Sequence, residues 1–579
     1  MRYSKSLPID SVLVELKNSL EGHAAVILQA PPGCGKTTRV PLALLGESWL
    51  GGQSILVLEP RRMAATNAAR YMASLLGEKV GGTVGYAIRY ERRCSRSTRI
   101  EVVTDGILTR RLQADPTLEG VGLVIFDEFH ERRLSSDLAL ALCRDAQLGL
   151  REDLKILVMS ATLDGEPVSQ LLGGAPLVTS EGRSYPVEVR FLERDPPGHV
   201  TEYTAAAVRR ALRKTDGDLL VFLPGAGEIR RCHELLKVNP GVGEPLICPL
   251  YADLPFNEQE QAIIPASRRR VVLATNIAET SLTIEGVRVV VDSGLARQPR
   301  FDSASGLSRL EMVKVSRASA EQRAGRAGRL APGVCYRLWT EGVHGSLLPF
   351  TSPEIRNADL APLALELARW GVPDPEALAW LDLPSAGAMA GARQLLEALG
   401  ALDSRGRITP LGEEMACLPT HPRIARLLVA AREQGRLLLG CDLAALLGEK
   451  DIFRGNSEAG HKTRSDVIER LEVLGRFRTS QRGGSALASV RRAARFWRQQ
   501  MGNVSGENIS SADAVGRLLA LAYPERIGRE REPGGRHFQL ASGQGAKLSA
   551  RSNVHDEPFI VAVEVGGFDN LNLTSLGAL

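Results

Sequence analysis

The sequence predicts an α/β protein of two tandem doubly wound domains, followed by a helical part and a short β-rich end. Three observations carry that prediction. Short apolar runs recur, each followed by a polar or glycine-rich turn, as in AAVILQA (24–30) before PPGCGKTT and GLVIFDE (122–128) before FHERR. The alternation starts a second time near residue 218. After SPEIR (352–356), leucine-rich segments at helical spacing take over.

In the first half, AAVILQA, SILVLEP (54–60), GLVIFDE and LKILVMS (154–160) read as strands buried on both faces of a parallel sheet. RMAATNAARYMASLL is helix-like. DLLVFLP (218–224), RRVVLAT (269–275) and VRVVVDS (287–293) repeat the strand pattern. Between the two sets, SEGRSYPVEVRFLERDPPG (180–198) is rich in Gly, Pro and charge and reads as a linker. The expected domains are therefore 1–178 and 179–345. Residues 346–420 are expected to form a small helix-and-wing domain, with ITPLGEEMACLP as its short strand and helix. A helical domain is expected over 421–530. In 531–579, GGRHFQLASGQGAKLSA and EPFIVAVEV read as short antiparallel strands. The chain stops soon after a strand, so this last β region is expected to be incomplete.

The composition, with 44% hydrophobic and 24% charged residues, is that of a soluble globular protein. Net charge is only +5 over 579 residues, so any nucleic-acid-binding surface must be local. The eight cysteines contain no CxxC pair, which suggests neither a zinc site nor a disulfide framework and fits a reducing cytoplasm. MRYSKSLPIDSVL has no apolar core of signal-peptide length, and no segment approaches a membrane span. A soluble, cytoplasmic protein is expected.

APPGCGKTT (30–38) has the strand–loop–helix context of a phosphate-binding loop. Gly33 and Gly35 let backbone N–H groups turn inward around phosphate oxygens. Lys36 brings a point charge to the β and γ phosphates, and the Thr37 hydroxyl suits Mg²⁺. The strict pattern has Gly where this chain has Ala30, so the loop is a variant. DEFH (127–130) ends a strand. Asp127 suits Mg²⁺, directly or through water, and Glu128 can polarise an attacking water. The alternative is that the two carboxylates cap the next helix. His130 either links the nucleotide to the second domain or packs in the turn.

QRAGRAGR (322–329) sets Arg323, Arg326 and Arg329 three residues apart, so on a helix they drift slowly around one side. Ser319, three positions before Gln322, suggests a capping box that starts the helix there. A nucleotide held between the two domains would give Arg326 and Arg329 the role of arginine fingers, with Gln322 near the water or γ-phosphate. Gly325 and Gly328 would keep the helix thin enough for close approach. The alternative is a solvated basic face.

GCGKTT, EPRR, TDGILTR, DEFH, SAT, FLPG, TNIAETSLTIEGVRVVVDSG and QRAGRAGR occur in that order. This ordered set resembles the DEAH-type RNA helicases of superfamily 2, and DEFHER and EPRRMAA are similar to that family's bacterial HrpB branch. The resemblance implies RecA-like folds for both α/β domains, then winged-helix, ratchet-like and OB-like regions. It implies ATP contacts at Gly33, Cys34, Gly35, Lys36, Thr37, Thr38, Asp127, Glu128, Gln322, Arg326 and Arg329, with Mg²⁺ at Thr37 and Asp127. Ser160 and Thr162 would couple hydrolysis to domain movement. The base would lie between Arg70 and Ile263, an apolar partner that implies loose selectivity among nucleoside triphosphates. Single-stranded RNA would run over Arg61, Arg62, Thr104, Asp105, Gly106, Gly225, Thr275 and Asn276. Residues 297–316 match a β-hairpin that is either a strand-separating wedge or a simple connection. The implied cycle closes the two domains on ATP, reopens them on hydrolysis and moves the protein 3′ to 5′. Phe129, where the family has Ala, changes packing but leaves both carboxylates and His130 in place. HrpB-like chains continue well beyond residue 579, so RNA grip and partner docking at that end are expected to differ. Two rivals stand beside this reading: a DNA-acting motor, and a nucleotide-gated ribonucleoprotein clamp that does not unwind.

Overall fold

Continuous apolar runs become interior strands because sheet neighbours satisfy their backbone groups while both faces are covered. A computed structural model of the chain shows where they go. It describes residues 7–89, 91–161, 165–181, 185–252, 254, 256–279, 284–302, 307–453, 465–477, 485–502, 511–549, 552, 554, 557–563 and 572–573. Two compact units divide the chain. One comprises Met1–Arg300, Leu310–Asn357 and Leu378–Leu383; the other comprises Phe301–Arg309, Ala358–Ala377 and Pro384–Leu579.

The first unit holds two parallel sheets. The first sheet contains β1 (Ala25–Gln29), β2 (Ser54–Leu58), β3 (Val84–Ile88) and β4 (Glu91–Arg93). It continues with β5 (Ile100–Val103), β6 (Val121–Phe126), β7 (Lys155–Ser160) and β8 (Leu177–Thr179). The strand order is β4-β3-β5-β2-β6-β7-β1-β8, parallel throughout except for β3 with β4. The four predicted runs are the four adjacent central strands β2, β6, β7 and β1. The strands outside them are short, or, like β3, carry a glycine. A Cβ at Gly85 would come within 2.5 Å of the Arg93 carbonyl oxygen, so that strand's sequence records a close backbone approach.

The second sheet begins with β9 (Val187–Arg190), β10 (Asp218–Phe222), β11 (Leu246–Leu250), β12 (Arg270–Ala274) and β13 (Val287–Asp292). A two-stranded ribbon of β14 (Leu295–Asp302) and β15 (Leu307–Lys314) follows, then β16 (Gly333–Arg337). The order is β11-β12-β10-β13-β16-β9, all parallel. The segment 180–198 is thus more than a linker, because β9 within it forms an edge strand beside β16. An edge strand alternates exposed and half-buried residues, as VEVR does, so no continuous apolar run announces it. The ribbon matches the predicted hairpin at 297–316; its tip, 303–306, lies outside the described residues.

The second unit is helical and then β-rich. Ala361–Trp370, Ala386–Ala398 and Pro410–Ala416 are helices, the last capped by Thr409 Oγ1, which accepts from Gly412 N. The predicted short strand of the wing is a single Leu402–Ile408 bridge. Helices Pro422–Glu433, Leu437–Gly448, Asp466–Arg476, Ser485–Gln500 and Ala512–Ala522 follow. A small sheet of β17 (Ile527–Glu530), β18 (His537–Leu540), β19 (Gly545–Leu548), β20 (Phe559–Val561) and β21 (Asn572–Leu573) has the order β20-β17-β18-β19-β21. Among the described residues, no helix is long and apolar enough to cross a membrane.

Candidate active site

In a parallel sheet the turns leaving the C-terminal strand ends share one edge. Here β7 lies between β6 and β1, so the turn after β1 (30–35) and the turn after β6 (127–130) flank Ser160. The loop after β1 runs into the helix Lys36–Leu44 through two left-handed glycines, Gly33 (φ 85°) and Gly35 (φ 99°). Ala30 is fully buried at the strand end, and its N–H donates to the Ser160 carbonyl at 2.9 Å. The variant position therefore belongs to the sheet rather than to the phosphate cradle. Cys34 is buried, and burial pushes its thiol up. Thr38 lies half-buried in the helix's first turn.

The charged groups of this loop meet the carboxylates of DEFH in a buried cluster. Lys36 Nζ lies 3.0 Å from Glu128 Oε1, with both side chains under a tenth exposed. The Thr37 hydroxyl donates to Asp127 Oδ2. Glu128 N–H donates to Asp127 Oδ1 at 2.8 Å, and Glu128 itself holds a left-handed backbone (φ 51°). That conformation is uncommon for a residue with a Cβ and aims neighbouring carboxylates in different directions. Burial favours a neutral Glu128, but Lys36, His130 and Arg326 outweigh it and hold the carboxyl at about 2. Asp127 moves the other way, to about 6, because burial and the Glu128 charge outweigh Lys36. Burial lowers Lys36, yet the two carboxylates raise it overall and keep it charged.

His130 lies 3.3 Å from Glu128 through Nε2, while Nδ1 accepts from Ala161 N–H at 3.3 Å. It bridges the turn after β6 to the turn after β7, with its ring pushed toward the neutral form chiefly by burial. Phe129 turns away and packs edge-on to Phe126 at 6.3 Å, so the bulky residue leaves the polar cluster intact. Thr162 lies outside the described residues.

The second half supplies arginines, but not as one helical face. The helix runs Arg317–Gly325 and is capped by Ser316, whose Oγ accepts from Ser319 N–H. Ser319 is therefore inside the helix, and the predicted cap is displaced by three residues. Arg326 and Arg329 lie in the turns beyond it. The three guanidinium groups divide their tasks. Arg323 is buried between Asp292 (2.9 Å) and Glu279 (3.0 Å), 4.8 Å over the Phe222 ring. Arg326 feels the charges of Glu128 and Arg329, and burial pulls it well down. Arg329 lies against the phosphate loop, its Cζ 3.6 Å from where a Gly33 Cβ would stand. Burial lowers Arg329 to about 10. The two glycines of this stretch have different surroundings. A Cβ at Gly328 would strike the Tyr185 carbonyl oxygen at 2.5 Å, whereas Gly325 faces open space.

Arg323 is therefore a fold-holding arginine. Arg323→Met is expected to cost about 3–5 kcal/mol of stability, because it leaves buried Asp292 without its cation. Denaturant unfolding checks this; a loss below about 1 kcal/mol would place Arg323 among ordinary surface ion pairs instead.

The remaining predicted residues scatter. Arg62, Gly106 and Asn276 are exposed, and Thr104 and Thr275 are half-exposed. Arg61 is already engaged: its guanidinium donates to the Ile277 carbonyl at 3.2 Å and pairs with Glu131 at 3.0 Å. Asp105 is buried and accepts from Ser135 Oγ (2.6 Å) and Ser136 Oγ (3.2 Å). Gly225 is also buried; a Cβ there would meet Arg297 and Glu228 at 2.9 Å. Arg70 is exposed beside the Tyr86–Glu91 pair, while Ile263 packs half-buried on the second sheet's apolar cluster. Gln322 is buried, in the wall of a cavity it shares with His130.

Two acids escaped the sequence reading. Glu59 is buried at the end of β2, and burial next to Asp127 and Glu128 pushes its carboxyl well up. Its place before EPRR's arginines was a usable signal. Glu279, which holds the second half's arginines, lies inside the TNIAET motif, but its partners are 40 and 44 residues away and nothing local marks it from its neighbours there.

Two tandem parallel α/β domains, with a phosphate loop and strand-end carboxylates in the first and buried arginines from the second brought onto them, define a P-loop nucleotide-dependent protein. Residues 14–171 match the DEAD/DEAH box helicase family, 203–331 the helicase conserved C-terminal domain, and 392–420 the winged-helix helicase-associated domain HA2. The chain belongs to the DEAD/DEAH box helicase family. It is 44% identical over 568 residues to the ATP-dependent RNA helicase HrpB of Escherichia coli, covering 96% of this chain and 66% of that protein. The Schizosaccharomyces pombe pre-mRNA-splicing factor ATP-dependent RNA helicase prp22 is 38% identical, over 78% of this chain and 39% of that one. The crystal structure of E. coli DEAH/RHA helicase HrpB superposes with a TM-score of 0.86 at 43% identity, over 99% of this chain and 70% of that chain. This chain thus spans about two thirds of the length of E. coli HrpB.

Proposed function

We propose that the chain is an ATP-dependent RNA helicase that hydrolyses nucleotide between its two α/β domains and moves on single-stranded RNA. The observation that carries this reading is Arg329 lying against the phosphate loop at Gly33, with Arg326 near enough for its charge to act on Glu128. Gly33, left-handed and without a side chain, lets the Arg329 guanidinium approach the loop, and Lys36, now held by Glu128, is positioned to meet phosphate oxygens there. Glu128 Oε2 and His130 Nε2, buried 3.3 Å from one another, make no hydrogen bond to the rest of the protein, which leaves the carboxylate oxygen able to accept from a water. Thr37 and Asp127, bonded to one another, fit a Mg²⁺ site, where the ion would neutralise phosphate charge.

The proposed chemistry follows from these positions. Glu128, ionised, accepts a proton from the attacking water, while Lys36, Arg326 and Arg329 stabilise the charge that develops on the transferred phosphoryl group. Losing that phosphoryl group removes what draws the arginines onto the loop, and the two domains separate. Exposed Arg62, Gly106 and Asn276 supply guanidinium, backbone N–H and amide donors of the kind an RNA backbone needs. The 3′ to 5′ direction rests on family resemblance, as does Ile263 as a base platform.

The test is ATP hydrolysis by the purified chain alone, with single-stranded RNA and with single-stranded DNA. RNA is expected to stimulate hydrolysis several-fold more than DNA. Equal or greater stimulation by DNA would overturn the RNA assignment. Stimulation without strand separation on a tailed RNA duplex would point to a clamp.

A further inference from the structure

The short turn Asn276–Ala278 ends on Glu279, and Glu279 is where the second domain's arginines are tied. Its Oε1 accepts from Ser319 Oγ at 2.7 Å, and its Oε2 accepts from Arg323 Nε at 3.0 Å. Its backbone carbonyl accepts from Arg326 Nε, also at 3.0 Å. One residue therefore grips the start, the body and the end of the segment that carries the arginine finger.

The same turn is held from the first domain. Arg61 donates to the carbonyls of Ile277 (3.2 Å) and Asn276 (3.5 Å) while pairing with Glu131, the neighbour of His130. The turn is closed on itself by Ala278 N–H to the Thr275 carbonyl (3.2 Å) and Glu279 N–H to the Asn276 carbonyl (3.1 Å). Those bonds make a stiff unit with Asn276 exposed at one end and the bond to Arg326 at the other. A shift of Asn276 is passed along such a unit rather than absorbed in it.

The surroundings leave the unit room to shift. A cavity of about 530 Å³ opens beside it, bordered by Arg61, Asn276, Glu279, Ser319, Gln322 and Arg323. Close-packed cores resist sub-ångström shifts, whereas an element flanked by open space can take a second position.

We propose that Glu279 is a positioning residue that passes the state of the Thr275–Asn276 turn to Arg326, so that RNA on that turn sets the arginine for hydrolysis. The inference rests on the RNA-motor reading above. The two side-chain bonds lash Glu279 to the Ser319–Arg326 segment, so turn and finger move as one body. Without the carboxylate the turn still meets RNA and still accepts from Arg326 through its backbone, but it loses both ties to the helix that carries Arg326, and one hydrogen bond alone passes its movement on poorly.

The experiment measures kcat and KM for ATP with and without saturating single-stranded RNA, together with RNA affinity by fluorescence anisotropy. It compares the full chain with Glu279→Ala and Glu279→Gln. Glu279→Ala is expected to lower the RNA-stimulated kcat about tenfold, a typical coupling between two sites, with RNA affinity and KM for ATP within about threefold. Glutamine keeps one acceptor oxygen, for Arg323 Nε, and offers an N–H₂ that the Ser319 hydroxyl can accept, so it is expected to retain more of the stimulation than alanine. Arg323 retains Asp292 in either variant, and a thermal melt checks folding; were the alanine variant to unfold, glutamine alone would have to show the kcat loss. Full RNA stimulation in the folded variants overturns the proposal, as does a loss confined to KM or to RNA affinity. Absence of RNA stimulation in the unmodified chain overturns the motor reading and this proposal with it. Stimulation kept by the unmodified chain and by both variants overturns only the role of Glu279.

Discussion

Glu128→Gln is expected to lower kcat for ATP hydrolysis about 10²–10⁴-fold while KM for ATP stays within a few-fold or falls. Glutamine keeps the shape of the side chain and an oxygen toward Lys36, but it cannot take a proton. The buried carboxyl is ionised because Lys36, at 3.0 Å, and the Arg326 charge favour it, with His130 beside it. Removing the charge also releases Lys36 from its ion pair, which frees the ammonium for phosphates. The KM for ATP should therefore not rise. Steady-state phosphate release and an independent nucleotide-binding titration check the two halves of this prediction. A variant that keeps more than about a tenth of the activity would remove Glu128 from the proton-accepting role.

Arg326→Ala is expected to cost about 10³–10⁵ in kcat, the range that separates a finger arginine from an ordinary phosphate contact. Lysine should not restore it, since an ammonium cannot reproduce the planar fork that here also donates through Nε to the Glu279 carbonyl. The contrast with Arg323 is the sharper half of the prediction. Arg323 sits between two acids, so its loss is expected to destabilise the domain. Arg326 is buried beside a second arginine, and that like charge helps to pull it down. Removing Arg326 is therefore expected to cost much less stability than removing Arg323, while activity collapses. A thermal melt and a turnover assay on the same sample decide it. Unfolding of Arg326→Ala, or retention of turnover, would reverse the assignment of the two arginines.

The arginines also mark where reading the sequence stopped short. QRAGRAGR announces three cations at one place, and the spacing suggests a single helical face. The helix ends at Gly325, so residues three apart do not stay on one side. Asp105 and Gly225 were legible as strand-end residues with chemistry suited to a backbone. Asp105 is buried because Ser135 and Ser136, remote in sequence, donate to it, and Gly225 is covered by Arg297, equally remote, where it pairs with the nearby Glu228. The linker reading of 180–198 failed for a similar reason: β9 is a strand only because β16, more than 140 residues later, offers it an edge.

By itself the sequence determined the local cassettes: the four central strands of the first sheet, the glycine loop before Lys36, the paired carboxylates after β6 and the predominantly helical character of the later chain. These are legible because burial and turn geometry impose periodicity and residue type on neighbours a few positions apart. Only the tertiary structure decided which cation meets which anion. Lys36 meets Glu128 across about 90 residues, Arg323 meets Glu279 across about 40, and Arg329 reaches Gly33 from the other domain. A guanidinium has the same local pattern whether it holds a fold or awaits a phosphate. Its task is set by the charges that folding brings within a few ångströms.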